Sequence, residues 1–502
     1  MLRGGSWNLF GLFVPQLALL VLSVAAARFL GPDQFGRQSF IAFVEVSVVM
    51  LLAGGLPLAL TRYAGDALGR RRPGVVVGLA RWVGRISIAA AVLGAAIMVG
   101  FGLAGATPRA AWFIAAVVVA ASLIQRVPSA VLNGLQRWRA ASVVGVVMAI
   151  VAAVSTVLVL WGGGGIVGMF AVEAAVTLAS LVWLWWLSRR AEAALGPPEP
   201  VEQPLRRDFL RYAFIASLGV ILTFVVWRRS EFLFLNHYST DSEIAIYSVA
   251  FSSVAALLLI PQAIVGVLLP AVATLLGAGE TERIRQGFER AIRLLLVLTL
   301  PMTAFAIALG PLTLRLVYGQ DFSGVGPVVV LLLLPLPIVT LMNLSKVVLA
   351  GMGRQRFQLA SGAVGAAANI GLDFALIPHY DAVGAALANA GGQLVSGLPV
   401  LVYAIRRIGV RHWEPWPLAR TLLASIVAGV AAWLVQHWLA GVAGLLVALA
   451  AASVVFAGLA VALRILTVSD AVWLDDLIGR LFGGRLGRLI RICARPQQAG
   501  AV

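Results

Sequence analysis

The sequence predicts an all-α integral membrane protein of about fourteen transmembrane helices: two six-helix lobes related by a pseudo-two-fold axis, then two further helices. Three observations carry this. Of 502 residues, 61% are hydrophobic and 12% charged, with a mean hydropathy of +0.97, whereas soluble domains carry about a quarter charged residues. Apolar runs recur from end to end, many longer than the roughly 20 residues that cross a bilayer as a helix. Lipid offers backbone N–H and C=O groups no partner, so such runs must satisfy themselves as helices. Finally, the arginines collect in alternate connections between the runs.

At the start of the chain, Arg3, the run from Leu9 and the triplet Ala25-Ala26-Ala27 imitate a secretory signal. The run exceeds the roughly 7–15 residues of a signal's apolar region, and its loss would unbalance the repeat described below, so it is read as a retained first helix. The first six spans fall at about 9–29, 38–61, 82–104, 110–132, 140–161 and 165–187. They form an N-terminal lobe, 1–188. A polar linker follows over 189–208, with Gly-Pro-Pro-Glu-Pro at 196–200, whose prolines favour an extended chain. Six more spans at about 210–235, 245–272, 288–310, 324–348, 357–377 and 382–405 form a C-terminal lobe, 209–406. Two additional spans, at about 419–438 and 441–463, occupy 407–463. In the tail, 464–502, Trp473, Leu474, Leu477, Ile478, Leu481 and Phe482 recur at helical spacing among Arg480, Arg485, Arg488 and Arg491. That pattern reads as a basic amphipathic helix lying on the cytoplasmic leaflet, bent at Gly483-Gly484.

The arginines orient these spans. One side receives Arg70-Arg71-Arg72, Arg137 and Arg139, Arg189 and Arg190, Arg206 and Arg207, Arg283 and Arg285, Arg354 and Arg356, and Arg406, Arg407 and Arg411. The alternate turns are nearly bare; apart from Arg28, only Arg37, Arg109 and Arg315 lie near that face. Both termini are therefore expected in the cytoplasm. The net charge of +17 reflects this bias rather than nucleic-acid binding, since no recognition motif or continuous basic face is present. The lone Cys493 excludes an intramolecular disulfide and has no metal-ligand neighbour; no cofactor or metal is expected.

The halves look related. After span four comes Gly134-Leu-Gln-Arg137-Trp-Arg139; after span ten comes Gly351-Met-Gly-Arg354-Gln-Arg356. Each is followed by two apolar runs. Repeats of this kind mark secondary transporters, and the even span count of each half makes it a parallel repeat about an axis normal to the membrane.

Ala26-Ala-Arg28-Phe-Leu-Gly31-Pro32-Asp-Gln-Phe35-Gly36 resembles the signature of Wzx-type polysaccharide flippases, part of the multidrug/oligosaccharidyl-lipid/polysaccharide (MOP) exporter superfamily. Ala245-Ile-Tyr247-Ser-Val-Ala-Phe resembles a second family segment. Asn369-Ile-Gly-Leu-Asp373-Phe-Ala-Leu-Ile-Pro378 with Val383-Gly384-Ala-Ala-Leu-Ala resembles a third. The resemblance covers nearly the whole chain. It implies a two-lobed bundle working by alternating access and a polyprenyl-pyrophosphate-linked oligosaccharide as substrate. The expected setting is the bacterial inner membrane, among membrane lipids, with a polysaccharide polymerase as a partner left open. Helices beyond the twelfth are also common in such flippases.

A pyrophosphate head cannot cross hydrocarbon unaided and needs fixed positive charge in a wet cavity. Arginine suits it, being always protonated and donating in a fork. The candidates are Arg28, at the outer end of span one, and Arg228 and Arg229 within span seven. The plainer reading is that Arg28 snorkels to water and that Arg228 and Arg229 pair with Glu231. Successive helical residues point about 100° apart, so Arg228 and Arg229 cannot both face one cavity. Three acids lie in apolar runs and are ion-coupling candidates, for a proton or sodium: Glu45, Glu173 and, nearer its helix end, Asp373. Each could instead serve as a structural partner of an arginine or a backbone donor. Gln16, Gln125, Gln262, Asn343, Asn369 and Gln393 could meet sugar hydroxyls or bond between helices. Pro15, Pro57, Pro128, Pro261, Pro270 and Pro399 are candidate bends.

Three other functions compete. A drug or small-cation antiporter on the same scaffold would show acids without arginine. A membrane glycosyltransferase, polymerase or ligase would carry a large outer loop with catalytic residues; no outer segment beyond about Leu312 to Gly324 is long, and no motif supports catalysis. A transport-inactive scaffold would not need charges inside its spans.

Overall fold

Glycine and proline decide where the helices stop. The computed structural model describes residues 2–227, 230–266, 272, 275–276, 278–410, 415–439 and 441–466. Its first helix, α1 (Leu2–Ala53), is two spans joined without a loop. Gly31 leaves helical geometry at φ 73° and ψ 172°, and Pro32 starts the second arm with its φ already set. The sequence places one span over about 38–61, but the chain breaks at Gly54, φ 49°, and α2 (Leu56–Gly69) begins afresh with a proline in its first turn. α3 (Pro73–Leu103), α4 (Arg109–Gly134), α5 (Trp138–Trp161) and α6 (Gly165–Ala193) follow. α3 and α6 run past the apolar stretches at the arginine-rich end, since a helix there can be finished in water as well as in lipid.

α7 (Gln203–Trp227), α8 (Glu231–Tyr238), α9 (Asp241–Gly266) and α10 (Thr281–Tyr318) come next. α11 (Val325–Leu333) and α12 (Leu336–Gly351) form one span bent by 42° at Pro335. α13 (Gln355–Ile408) again fuses two spans, here across Asp381 at φ 47° and ψ −127°. α14 (Pro415–Trp438) and α15 (Gly441–Ala462) close the described chain. Among the described residues, ten helices are long and apolar enough to cross a membrane, eleven with the bent pair. Each fused helix is long enough to hold two spans, one on either side of Gly31 in α1 and of Asp381 in α13. Pro128 and Pro261, candidate bends in the sequence, lie inside continuous helices; the sharp breaks fall at Gly31, Gly54, Pro335 and Asp381 instead. The basic tail lies outside the described residues beyond Leu466.

The chain forms two compact units. The first comprises Met1–Ser252 with Asn369–Ala385. In it α3 packs on α4, α4 on α6 and α1 on α5. Leu60, Val76, Leu79, Val131 and Phe209 make a core at its arginine-rich end, and Leu195, Val201 and Leu205 of the linker region pack into it. The non-helical stretch 194–202 is thus docked. Glu199 N–H donates to the Gly74 carbonyl at 2.9 Å, and Arg72 donates to Glu199 at 2.9 Å and to Glu202 at 3.3 Å. Hydrogen bonds to Glu199, then to Glu202, push the Arg72 guanidinium above its ordinary pKa. Gly78 admits this approach: a Cβ there would stand 2.1 Å from the Glu199 carbonyl oxygen.

The second unit comprises Ser253–Ala368 and Ala386–Val502. Its core joins Phe288, Ile292 and Leu295 of α10 to Met342 and Val348 of α12 and to Val400 and Ala404 of α13. Ala424, Ala428 and Ala432 on α14, with Ala448 and Ala452 on α15, are wholly buried. Small residues four apart let helices approach closely where lipid supplies no hydrophobic drive, which accounts for the docking of this final pair.

Candidate functional site

In a membrane the informative residues are polar ones without water. The densest buried set lies within the first unit. Asn369 and Asp373, one turn apart on α13, share a face, and both are fully buried. Ser230 and Glu231, at the start of α8, are buried against them. The Asn369 amide Nδ2 has Asp373 Oδ2 at 3.0 Å, Ser230 Oγ at 3.1 Å and Glu231 Oε1 at 3.4 Å. An amide has two N–H groups, so three acceptors compete for it. Ser230 Oγ donates to Asp373 Oδ2 at 3.5 Å. Asp373 Oδ1 and Asn369 Oδ1 are buried with no hydrogen-bond partner. Aromatic rings wall the neighbourhood: Phe232 packs on Tyr247 and Phe43, and Phe234 on Phe374.

Such a set can bind one small hard cation or hold a proton. It offers carboxylate, amide and hydroxyl oxygens, the donors that hard cations prefer. A buried carboxylate such as Asp373 is favoured by a bound cation or a proton.

The other candidates stand apart. Glu45 is buried in the second arm of α1, with Oε2 lacking a hydrogen-bond partner. Glu173 is exposed on α6, within Coulombic reach of Glu45. An acid exposed on a membrane-spanning helix faces a wet cavity far more often than lipid. Arg28 is exposed, three residues before the break at Gly31. Arg228 and Arg229 lie outside the described residues.

Gln393 donates to Asn389 Oδ1 at 2.6 Å along its own helix rather than between helices. Sequence reasoning placed Glu231 beside Arg228 and Arg229 and left Ser230 unremarked. It also passed over Lys346, the chain's single lysine, half-buried on α12. A lone lysine inside the apolar stretch 332–350 was the available signal.

The family model described as "polysaccharide biosynthesis protein" matches residues 1–276. No curated protein matches the chain. Among solved structures, one described as lipid II flippase MurJ in an inward closed conformation is similar at a TM-score of 0.72 and 13% identity, over 94% of this chain and 100% of that one. An inward-facing multidrug resistance MATE transporter of the MOP superfamily is similar at 0.67 and 15% identity, over 80% of this chain and 98% of that one. A MOP superfamily transporter from Pyrococcus furiosus is similar at 0.60 and 15% identity, over 81% of this chain and 95% of that one. The chain belongs to the polysaccharide biosynthesis protein family and has a fold like those of the MurJ and MATE structures.

Proposed function

We propose that the protein flips a polyprenyl-pyrophosphate-linked oligosaccharide from the cytoplasmic to the outer leaflet of a bacterial inner membrane. Its termini are cytoplasmic, it works by alternating access, and it serves assembly of O-antigen, exopolysaccharide or capsule, upstream of a polymerase. The observation that carries this is the polysaccharide-biosynthesis match over residues 1–276. The similar MurJ structure, that of a lipid II flippase, supports a lipid-linked substrate. Arg28, with one of Arg228 and Arg229, takes the pyrophosphate through charge-assisted, forked hydrogen bonds. The sugar stays hydrated while the polyprenyl tail remains in lipid.

Cation coupling is assigned first to Asp373, with Asn369, Ser230 and Glu231, because Asp373 and Asn369 keep buried oxygens without hydrogen-bond partners. The Glu45–Glu173 pair is the second candidate, from its buried unpartnered oxygen. Proton and sodium both fit the donor set.

Reconstitution tests the substrate. Vesicles holding the protein should move a labelled polyprenyl-pyrophosphate oligosaccharide between leaflets at least tenfold faster than empty vesicles. Uptake of an organic cation with no lipid movement would instead establish the antiporter reading suggested by the MATE neighbours.

A further inference from the structure

Two short turns meet at the arginine-poor end of the first unit. Gly36 and Arg37 lie just inside the second arm of α1, which restarts at Pro32. Asp241 opens α9. Arg37 Nε donates to Asp241 Oδ2 at 2.7 Å. A Cβ on Gly36 would stand 1.8 Å from the Asp241 carbonyl oxygen, so the two backbones touch and any larger residue forces them apart. The same turn is pinned to the break in α13. Ser239 Oγ donates to Asp381 Oδ1 at 2.6 Å, and Glu243 Oε2 accepts the Ala382 N–H at 3.2 Å.

In the six-span repeat, the turn between spans one and two and the turn between spans seven and eight are equivalent positions. The Arg37–Asp241 contact therefore joins matching points of the two halves. Its chemistry suits a contact that is made and broken. The side chains are 47% and 32% exposed, so water stands ready to solvate both charges on separation, and an exposed pair is cheap to open. At Gly36 backbone meets backbone, with no side chain of its own to interdigitate, so parting there costs little repacking.

We propose that Arg37 and Asp241, seated by Gly36, form an ionic latch that closes the outer side of the transport path and must open in each cycle. That this end faces outward rests on the orientation proposed above.

The test begins from a Cys493→Ser background carrying Arg37→Cys and Asp241→Cys. A short bis-methanethiosulfonate bridges the two thiols, and dithiothreitol releases it. Bridging should cut flipping of the labelled lipid-linked oligosaccharide at least tenfold, and reduction should restore it. Bridged protein that flips at the unbridged rate overturns the latch.

A second arm needs no substrate. Amide hydrogen exchange over residues 32–40 and 238–246 should rise by about threefold in Arg37→Ala and in Asp241→Ala, the size expected for an exposed pair. It should return to the parental level in the charge swap Arg37→Asp with Asp241→Arg. Unchanged exchange in both single variants overturns the latch. If unbridged protein moves no lipid either, the substrate reading fails, and the exchange arm alone decides the latch.

Discussion

Asn369 donates to Asp373 at 3.0 Å along α13, and each residue keeps one oxygen buried and unpartnered. Asp373→Asn preserves size and removes the charge. Flipping driven by an imposed sodium or proton gradient should fall at least tenfold, while thermal unfolding in detergent stays level or rises, because a buried carboxylate no longer has to be desolvated. Asn369→Ala removes the donor instead and leaves Asp373 short of a partner. It should lower stability by about 1–3 kcal/mol. Gradient dependence that survives Asp373→Asn would remove this cluster from the coupling step.

The N-terminal acids provide the contrast. Glu45→Gln and Glu173→Gln should retain the response to the gradient, because neither shares the Asn369–Asp373 face. Flipping rates measured with and without a pH gradient check this. Loss of the response in either variant, with Asp373→Asn unaffected, would move the coupling site to α1 and α6.

Glycines on α3 predict opposite stability effects. Gly78→Ala drives a Cβ toward the Glu199 carbonyl oxygen, 2.1 Å away, and backbone cannot swing aside as a side chain can. It should cost about 1–3 kcal/mol, the range for overpacking. Gly84→Ala meets nothing within 4 Å and should stabilise by about 0.5–1 kcal/mol through reduced backbone entropy of the unfolded chain. Melting temperatures in one detergent compare them, and equal shifts would contradict the docking of Glu199 on Gly78.

How much of this was legible follows from how far each contact reaches along the chain. Span positions came from runs of apolar residues, a local property, and the Gly31-Pro32 break is written in its residue types. The interruption at 378–381 is legible too, because one apolar run ends at 377 and the next starts at 382, but the positive φ of Asp381 is not: it is held by its surroundings, here the hydrogen bond from Ser239. Asp373 was visible as an acid in an apolar run, but its partner Ser230 and the Glu231 bonded to Asn369 lie more than 130 residues away. Sequence adjacency places Glu231 beside Arg228 and Arg229, and its contact with Asn369, 138 residues further on, is not written locally. The linker's prolines announced an extended chain, yet nothing local shows that Val201 and Leu205 bury themselves on α2 and α3.

That docked linker should respond to salt rather than to pH. The folded pKa of Arg72 lies above its unfolded value, so its stabilisation is complete at every pH below the ordinary arginine range and is lost only as pH rises beyond it. Between about pH 6 and 9 the guanidinium stays charged. Salt shortens the screening length from about 10 Å at 0.1 M to about 3 Å at 1 M. Amide exchange over 194–202 should quicken in Arg72→Ala at low salt, with the difference from the parent shrinking in 1 M salt. A difference that ignores salt would mean that apolar packing alone holds the segment.

The pyrophosphate site is tested at its arginines. Arg28 is exposed near the break at Gly31, away from the arginine-rich turns. Arg126, the nearest rival inside a span, lies toward the arginine-rich end of α4, where a side chain reaches water easily. Arg28→Ala removes charge and fork; Arg28→Lys keeps the charge and loses the bidentate geometry. If Arg28 holds the head group, flipping should drop roughly tenfold or more in the alanine variant and by a smaller factor in the lysine variant, since charged hydrogen bonds contribute about 1.5–3 kcal/mol. If it only snorkels, lysine should match the parent, because a long cationic stem does that equally well. The double variant Arg228→Ala with Arg229→Ala separates the remaining cases, because it removes both neighbouring guanidinium groups at once. Normal flipping in Arg28→Ala and in that double variant, with folding verified, would leave the pyrophosphate without an arginine partner from this set and shift recognition to the sugar.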